Sequence, residues 1–159
     1  MSGNLKCNKC GLEAHEDRFG IENGQVLCDI CRENMEAATK GKPKVLVIDD
    51  DYFMRSYARR FLDFCIVKHD YRIPEDESTL ADYDVLIVDG DGIGNSKYKD
   101  GIEFCKTYEK QGNNKVVIYH SGLAPYGEDE SALTNKGLKI VVKGSNPDRL
   151  VAAVKEVVA

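Results

Sequence analysis

Two groups of side chains in this sequence have the types and spacing to do chemistry. The first is a pair of Cys-x-x-Cys units, Cys7/Cys10 and Cys28/Cys31, separated by the 17 residues 11–27. That spacing suits a tetrahedral four-thiolate zinc site. Gly11, directly after the first pair, suits a tight knuckle whose backbone amides face the sulfurs. A redox pair and an iron–sulfur cluster are the other chemistries open to four thiols. A closed four-thiolate site is structural rather than catalytic. The second group is Asp49-Asp50-Asp51, Asp89, Ser121 and Lys143, each at the end of a short apolar, β-branched run. Carboxylates held together repel, and a hard cation with oxygen ligands, magnesium above all, removes that cost. A carboxylate that attacks a phosphoryl group needs that group's charge neutralised, which a divalent cation, an ammonium and a hydroxyl together supply. The set reads as acceptance of a phosphoryl group on Asp89. Taken singly, Asp50 or Asp51 could be only a helix cap, Ser121-Gly122 a turn and Lys143 a solvated lysine. Coincidence at four strand ends is what those plainer readings do not supply.

The elements that must position these residues follow from periodicity. Lys44–Ile48, Cys65–Lys68, Val85–Val88, Lys115–Tyr119 and Lys139–Val142 read as strands. Between and after them, Tyr52–Phe64, Gly101–Lys110, Glu128–Lys136 and Pro147–Val158 read as helices, the last with Ser145 or Asn146 as its cap. Apolar strands alternating with helices predict a doubly wound, five-stranded parallel α/β sheet covered on both faces. Ligands of such sheets bind at the carboxyl ends of the strands, where the strand order reverses. Upstream, Gln25–Leu27 reads as a strand delivering Cys28, and Asp29–Lys40 as a helix with Cys31 near its N-terminus. Gly41-Lys42-Pro43 then breaks the chain. Two domains are expected: a zinc-stabilised module over 1–41 and the α/β domain over 43–159.

Composition narrows the classes. A chain of 159 residues with 42% apolar side chains can bury one ordinary core plus a small appendage. A net charge of −5 offers no basic excess for displacing nucleic-acid counterions. No apolar run is long enough for a membrane span, and the N-terminus lacks an apolar signal region. A cytoplasmic setting is expected, with thiols reduced or metal-bound rather than paired as disulfides. Cys65 and Cys105, alone in apolar runs, read as core packing.

Over residues 43–159 the chain resembles the receiver domain of two-component response regulators, with its flavodoxin-like sheet. Val47-Ile48-Asp49-Asp50-Asp51 is similar to the family's acidic motif and Val85-Leu86-Ile87-Val88-Asp89 to its phosphoacceptor strand. Asp100-Gly101 resembles the start of its third helix, His120-Ser121-Gly122 the hydroxyl position followed by a small residue, and Val141-Val142-Lys143 the family lysine. The resemblance implies a phosphoacceptor switch rather than an enzyme. It implies that Asp89 takes its phosphoryl group from a sensor histidine kinase or phosphotransfer protein. It implies a magnesium ion held by Asp49, Asp50, Asp89 and the Asp91 backbone carbonyl, and Ser121 drawn toward the phosphoryl oxygens. Output would pass to a downstream protein target, with the cysteine module, similar to a zinc ribbon or treble clef, favouring protein partners.

Three features depart from the family pattern. Gly144 stands where a cis-proline is usual, and Ile140 where a switch aromatic sits. The stretch from Val67 to Tyr83 is short for a second helix, whereas the Asp89–Asp100 loop is long. A pseudo-receiver that is never phosphorylated is one alternative. A haloacid-dehalogenase-type phosphatase using Asp89 and Asp91 is another, although that family places its acidic pair after the lysine and here it precedes Asp89.

Overall fold

Lys44–Ile48 (β5) and Val85–Val88 (β7) are runs of branched apolar residues, and in the computed structural model they form the centre of a sheet. The structure describes residues 4–15, 19–22, 25–109, 116–144 and 146–159. The chain divides into two compact units, Met1–Gly41 and Lys42–Ala159. In the second, β5 and β7 are flanked by Ile66–Asp70 (β6), Val116–Ser121 (β8) and Lys139–Val142 (β9), in the order β6-β5-β7-β8-β9. Every pairing is parallel.

Alternation along each strand splits the core in two. Val45, Val47, Val85, Ile87 and Ile118 face Ala58 and Leu62 of α2 (Tyr52–Phe61) and its end, and Leu150 and Val154 of α5 (Asp148–Val158). Leu46, Ile48, Leu86, Val88 and Tyr119 face Phe104 and Cys105 of α3 (Gly101–Thr107) and Leu133 of α4 (Glu128–Asn135). Each fully buried Val, Leu or Ile side chain contributes roughly 1.5–3 kcal/mol, so burial on both faces holds the strands at fixed register.

The crossover from β6 to β7 contains no α-helix. A 3-10 helix, Glu77–Asp82, takes its place, capped by Asp76 and pinned by buried Leu80. The long loop after β7 fills the remaining space. Ile93 and Tyr98 are buried beside Ile73. The Ile73 amide donates to the Ile93 carbonyl at 2.9 Å, and the Tyr98 hydroxyl donates to Glu77 Oε1 at 2.8 Å. Asn95 Nδ2 donates to the Pro74 carbonyl at 3.1 Å, while Ser96 and Lys97 bind Glu75 and Glu77. The shortened crossover and the lengthened loop are one compensated feature: the loop covers apolar surface a helix would have covered.

Helix ends follow local capping. Asp51 accepts the Phe53 amide at 2.8 Å and starts α2; Asp100 accepts the Glu103 amide at 2.8 Å and starts α3. Helix α5 begins at Asp148, whose amide donates to Asn146 Oδ1 at 2.8 Å. Helix α2 stops at Phe61, three residues before the apolar periodicity does, and α3 at Thr107, where Tyr108 turns to stack on Phe104. Strand β6 starts one residue later than its apolar run and extends to Asp70.

In the first unit the described residues form two antiparallel strand pairs, Asn4–Lys6 (β1) with Glu13–His15 (β2) and Phe19–Glu22 (β3) with Gln25–Cys28 (β4), followed by α1 (Asp29–Thr39). The helix opens at Asp29, where the sequence pattern puts its start, with Cys28 at its cap and Cys31 inside the first turn. No helix among the described residues is long and apolar enough to cross a membrane.

Candidate functional site

The chain order of the sheet reverses between β6 and β7, the two neighbours of β5, and this brings the ends of β5 and β7 side by side at the Ile48–Val88 pair. The residues that follow are therefore adjacent. The Asp89 amide donates to the Ile48 carbonyl at 2.9 Å, and the Asp49 amide to the Asp70 carbonyl at 3.0 Å. Both backbones are fixed by the sheet before any side chain interacts.

Three consecutive carboxylates then take separate places. Asp49 is 1% exposed and accepts the Asp51 amide at 2.9 Å. Asp50 lies at the exposed rim, and Asp51 is spent on capping α2. Asp89 is also buried, and its Oδ1 accepts the Gly90 amide at 2.6 Å. Lys143, delivered by β9, faces both buried carboxylates: its Nζ is 2.9 Å from Asp49 Oδ2 and 2.8 Å from Asp89 Oδ2. The backbone sets this reach, because the Lys143 amide donates to the Ser121 carbonyl at 2.7 Å.

Burial pushes the Asp49 carboxyl up, partly offset by Lys143. Burial works to lower the Lys143 ammonium, but Asp89 and Asp49 outweigh it and the net direction is up. Oxygens of Asp49, Asp50 and Asp89 all lie within 4.8 Å of one another. One ammonium against three carboxylates leaves two uncompensated negative charges at this rim, the deficit a divalent cation with oxygen ligands makes up. The donor set fits magnesium. Gly92 has φ +74°, and a Cβ there would overlap Asp50 Oδ2, so the loop after Asp91 closes directly on this carboxylate. The Asp91 side chain is exposed and stands outside the clustered carboxylates. Ser121 is buried on β8 and ends that strand opposite Val142. Ile140 packs partly buried against the α3/α4 side of the core, and Gly144 has open space around it.

Two neighbours escaped the residue pattern. Tyr119, two positions before Ser121 on β8, is 2% exposed, and its ring reaches the backbone of Gly90. His120 is 3% exposed with no hydrogen-bond partner at Nδ1; burial first and then Lys143 push its imidazole down to about 4. The i, i+2 spacing of Tyr119 and Ser121 was the available signal for the first. A histidine inside an apolar strand carries no comparable sign of what surrounds it.

In the first unit, Cys7, Cys10, Cys28 and Cys31 offer four sulfurs within 4.8 Å of one another, and all are free thiols. Cys10 Sγ and Cys28 Sγ are 3.7 Å apart. Ligands at about 2.3 Å in a tetrahedron sit about 3.8 Å apart, so this separation suits two sulfurs sharing one zinc ion. Backbone amides of Cys28 and Cys10 hold the Cys7 thiol down to about 6, as donors aimed at a thiolate would. Gly11 has φ +77°, closing the knuckle. Burial pushes the Cys31 thiol up to about 12, a cost that metal coordination removes.

No protein-family model and no curated protein matches the chain by sequence. Solved structures do match. A receiver domain of a Francisella response regulator is 26% identical, with TM-score 0.53, covering 73% of this chain and 96% of that one. The beryllofluoride-activated receiver domain of Klebsiella pneumoniae RstA is 16% identical, with TM-score 0.57, covering 72% and 97%. A CheY-like receiver domain protein from Methanospirillum hungatei is 19% identical, with TM-score 0.58, covering 73% and 93%. The chain has the response-regulator receiver fold, with the five-stranded parallel sheet and strand order expected of it.

Proposed function

We propose that Asp89 is a phosphoacceptor and that Lys42–Ala159 is a two-component signalling switch. The observation that carries this is the meeting of Asp49, Asp89 and the Lys143 ammonium, at 2.8–2.9 Å, at the carboxyl edge of a receiver-type sheet. An Asp89 oxygen attacks the phosphorus of a phosphohistidine donor. The new oxygen–phosphorus bond forms as the phosphorus–nitrogen bond breaks, and the electron pair leaves with the donor imidazole. Lys143 neutralises a phosphoryl oxygen in place of part of its contact with Asp89, and the Ser121 hydroxyl donates to another. Asp49, Asp50, Asp89 and the Asp91 carbonyl are the residues to hold magnesium, which when bound supplies the remaining charge neutralisation. The class is switch rather than enzyme, and its partners are a sensor histidine kinase or phosphotransfer protein and a downstream protein.

The zinc reading of Cys7, Cys10, Cys28 and Cys31 belongs to the same proposal. Among the described residues, the buried cluster of that unit comprises Leu27 and three of the cysteines. So small a core suits a fold held by metal, and a structural zinc suits a module that presents a surface to protein.

The test is incubation with magnesium and acetyl phosphate, followed by intact mass, for wild type and Asp89→Asn. An adduct confined to wild type supports the reading. No adduct in wild type refutes it and leaves an unphosphorylated interaction module.

A further inference from the structure

We propose that Tyr119 is a positioning residue of the phosphoacceptor pocket, its buried phenol holding the Ser121 hydroxyl so that the serine proton is presented to a phosphoryl group on Asp89. The proposal rests on the phosphoacceptor reading of Asp89 and assigns a role to a residue outside the acidic, hydroxyl and lysine set.

Tyr119 and Ser121 are two apart on β8, so both side chains leave the same face of the sheet. They are 2% and 4% exposed. Their oxygens converge on one point. A Cβ built on Gly90 would overlap the Tyr119 hydroxyl and lie 2.9 Å from Ser121 Oγ. Gly90 is the residue directly after the phosphoacceptor, so the two hydroxyls share the floor of the pocket, and a side chain at position 90 would displace them. Burial pushes the Tyr119 phenol up, so the ring keeps its proton at neutral pH and has it to donate.

Donor accounting gives the direction. The Gly90 amide is committed to Asp89 Oδ1, and Lys143 Nζ to the two buried carboxylates. The Ser121 backbone is fixed by its pairing with Val142 and by the Lys143 amide on its carbonyl. What remains free is rotation of the serine hydroxyl. A phenol is more acidic than an aliphatic hydroxyl and is the better donor of the pair. When it donates to Ser121 Oγ, the serine's own proton is left for a phosphoryl oxygen. When it is absent, that proton must find its direction without a partner. Ile140, at the position where the family resemblance leads one to expect an aromatic, has no hydroxyl with which to do this.

The test is a double-mutant cycle in the full chain with magnesium and acetyl phosphate, which transfers its phosphoryl group to Asp89 and releases acetate. Wild type, Tyr119→Phe, Ser121→Ala and the double variant are compared by the rate of adduct formation. Tyr119→Phe should slow it roughly threefold to tenfold, the range a single hydrogen bond carries. In the Ser121→Ala background the same substitution should change nothing further. Equal rates for wild type and Tyr119→Phe overturn the proposal, as does a loss that adds to that of Ser121→Ala, which marks a purely structural role. A second readout uses wild type alone: the ring Cζ resonance of Tyr119 should shift on adding beryllofluoride, and an unmoved resonance overturns the proposal even where the variants fold poorly. If wild type forms no Asp89 adduct at all, the phosphoacceptor reading falls, and the proposal with it; an adduct in wild type with no Tyr119 effect sinks the proposal alone.

Discussion

Replacing Lys143 with Met tests the electrostatic account of the pocket most directly. Nζ sits 2.9 Å from Asp49 Oδ2 and 2.8 Å from Asp89 Oδ2, and Asp49 is 1% exposed. At an effective dielectric constant of about 20, each contact is worth roughly 5–6 kcal/mol before desolvation is subtracted. Breaking a buried pair from one side typically costs about 3–5 kcal/mol. A second limit comes from protonation. Burial already raises the Asp49 carboxyl, and the substitution removes the ammonium that offsets this. The folded variant can therefore take up a proton instead of holding two bare carboxylates. Protonating a carboxyl of ordinary pKa near 3.9 costs about 4 kcal/mol at pH 7 and about 1.5 kcal/mol at pH 5. A raised carboxyl contributes stability below its unfolded value and loses it as pH rises, so the deficit of Lys143→Met should widen with pH. The expected slope is at most about 1.4 kcal/mol per pH unit, that of one proton. Urea unfolding followed by tyrosine fluorescence measures it cleanly, because all eight tyrosines lie in Lys42–Ala159 and the chain has no tryptophan. A deficit independent of pH, or a variant more stable than wild type at pH 7, would refute the reasoning.

His120 is held neutral, its imidazole down to about 4, so wild type should lose stability as pH falls from about 6.5 toward 4. His120→Leu should remove up to about 3 kcal/mol of that acid sensitivity, seen as a flatter acid limb in the same unfolding assay. Gly101→Ala places a Cβ onto the Asp89 carbonyl and should cost about 1–3 kcal/mol, whereas Gly122→Ala meets open space and should stay within about 0.5 kcal/mol, both read by urea midpoints. Freshly purified protein should hold about one zinc per chain, and a chelator should abolish amide protection in residues 25–39 while leaving the tyrosine-monitored transition in place.

Most of the fold was legible because every sheet strand but the edge strand β6 is a largely apolar run that ends in, or is followed by, a polar residue. Val85–Val88 can hardly be anything but a buried strand, and its end fixes where Asp89 must lie. The cysteine pairs were legible for a different reason: metal-ligand spacing is local and survives without knowledge of the core. What escaped depends on contacts between segments distant in sequence. Nothing local says that Ile93 and Tyr98 will pack on Ile73 and Glu77, since each segment alone is only a polar loop with stray apolar residues. The compensation exists only when both are present, and it explains how a chain with so short a crossover keeps β7 in register. The division of Asp49, Asp50 and Asp51 into a buried carboxylate, a rim carboxylate and a helix cap was likewise open, because three identical side chains differ only in the direction the backbone gives them. The same holds at the floor of the pocket. Tyr119 reads as one more apolar strand residue, and only the approach of β7 to β8 turns its hydroxyl toward Gly90 and Ser121. The acidic and lysine positions of the pocket are thus set by strand ends, whereas the setting of the Ser121 hydroxyl is a property of the packed sheet. A change that spares every motif residue, Tyr119→Phe, is for that reason the sharper probe of how the pocket is organised.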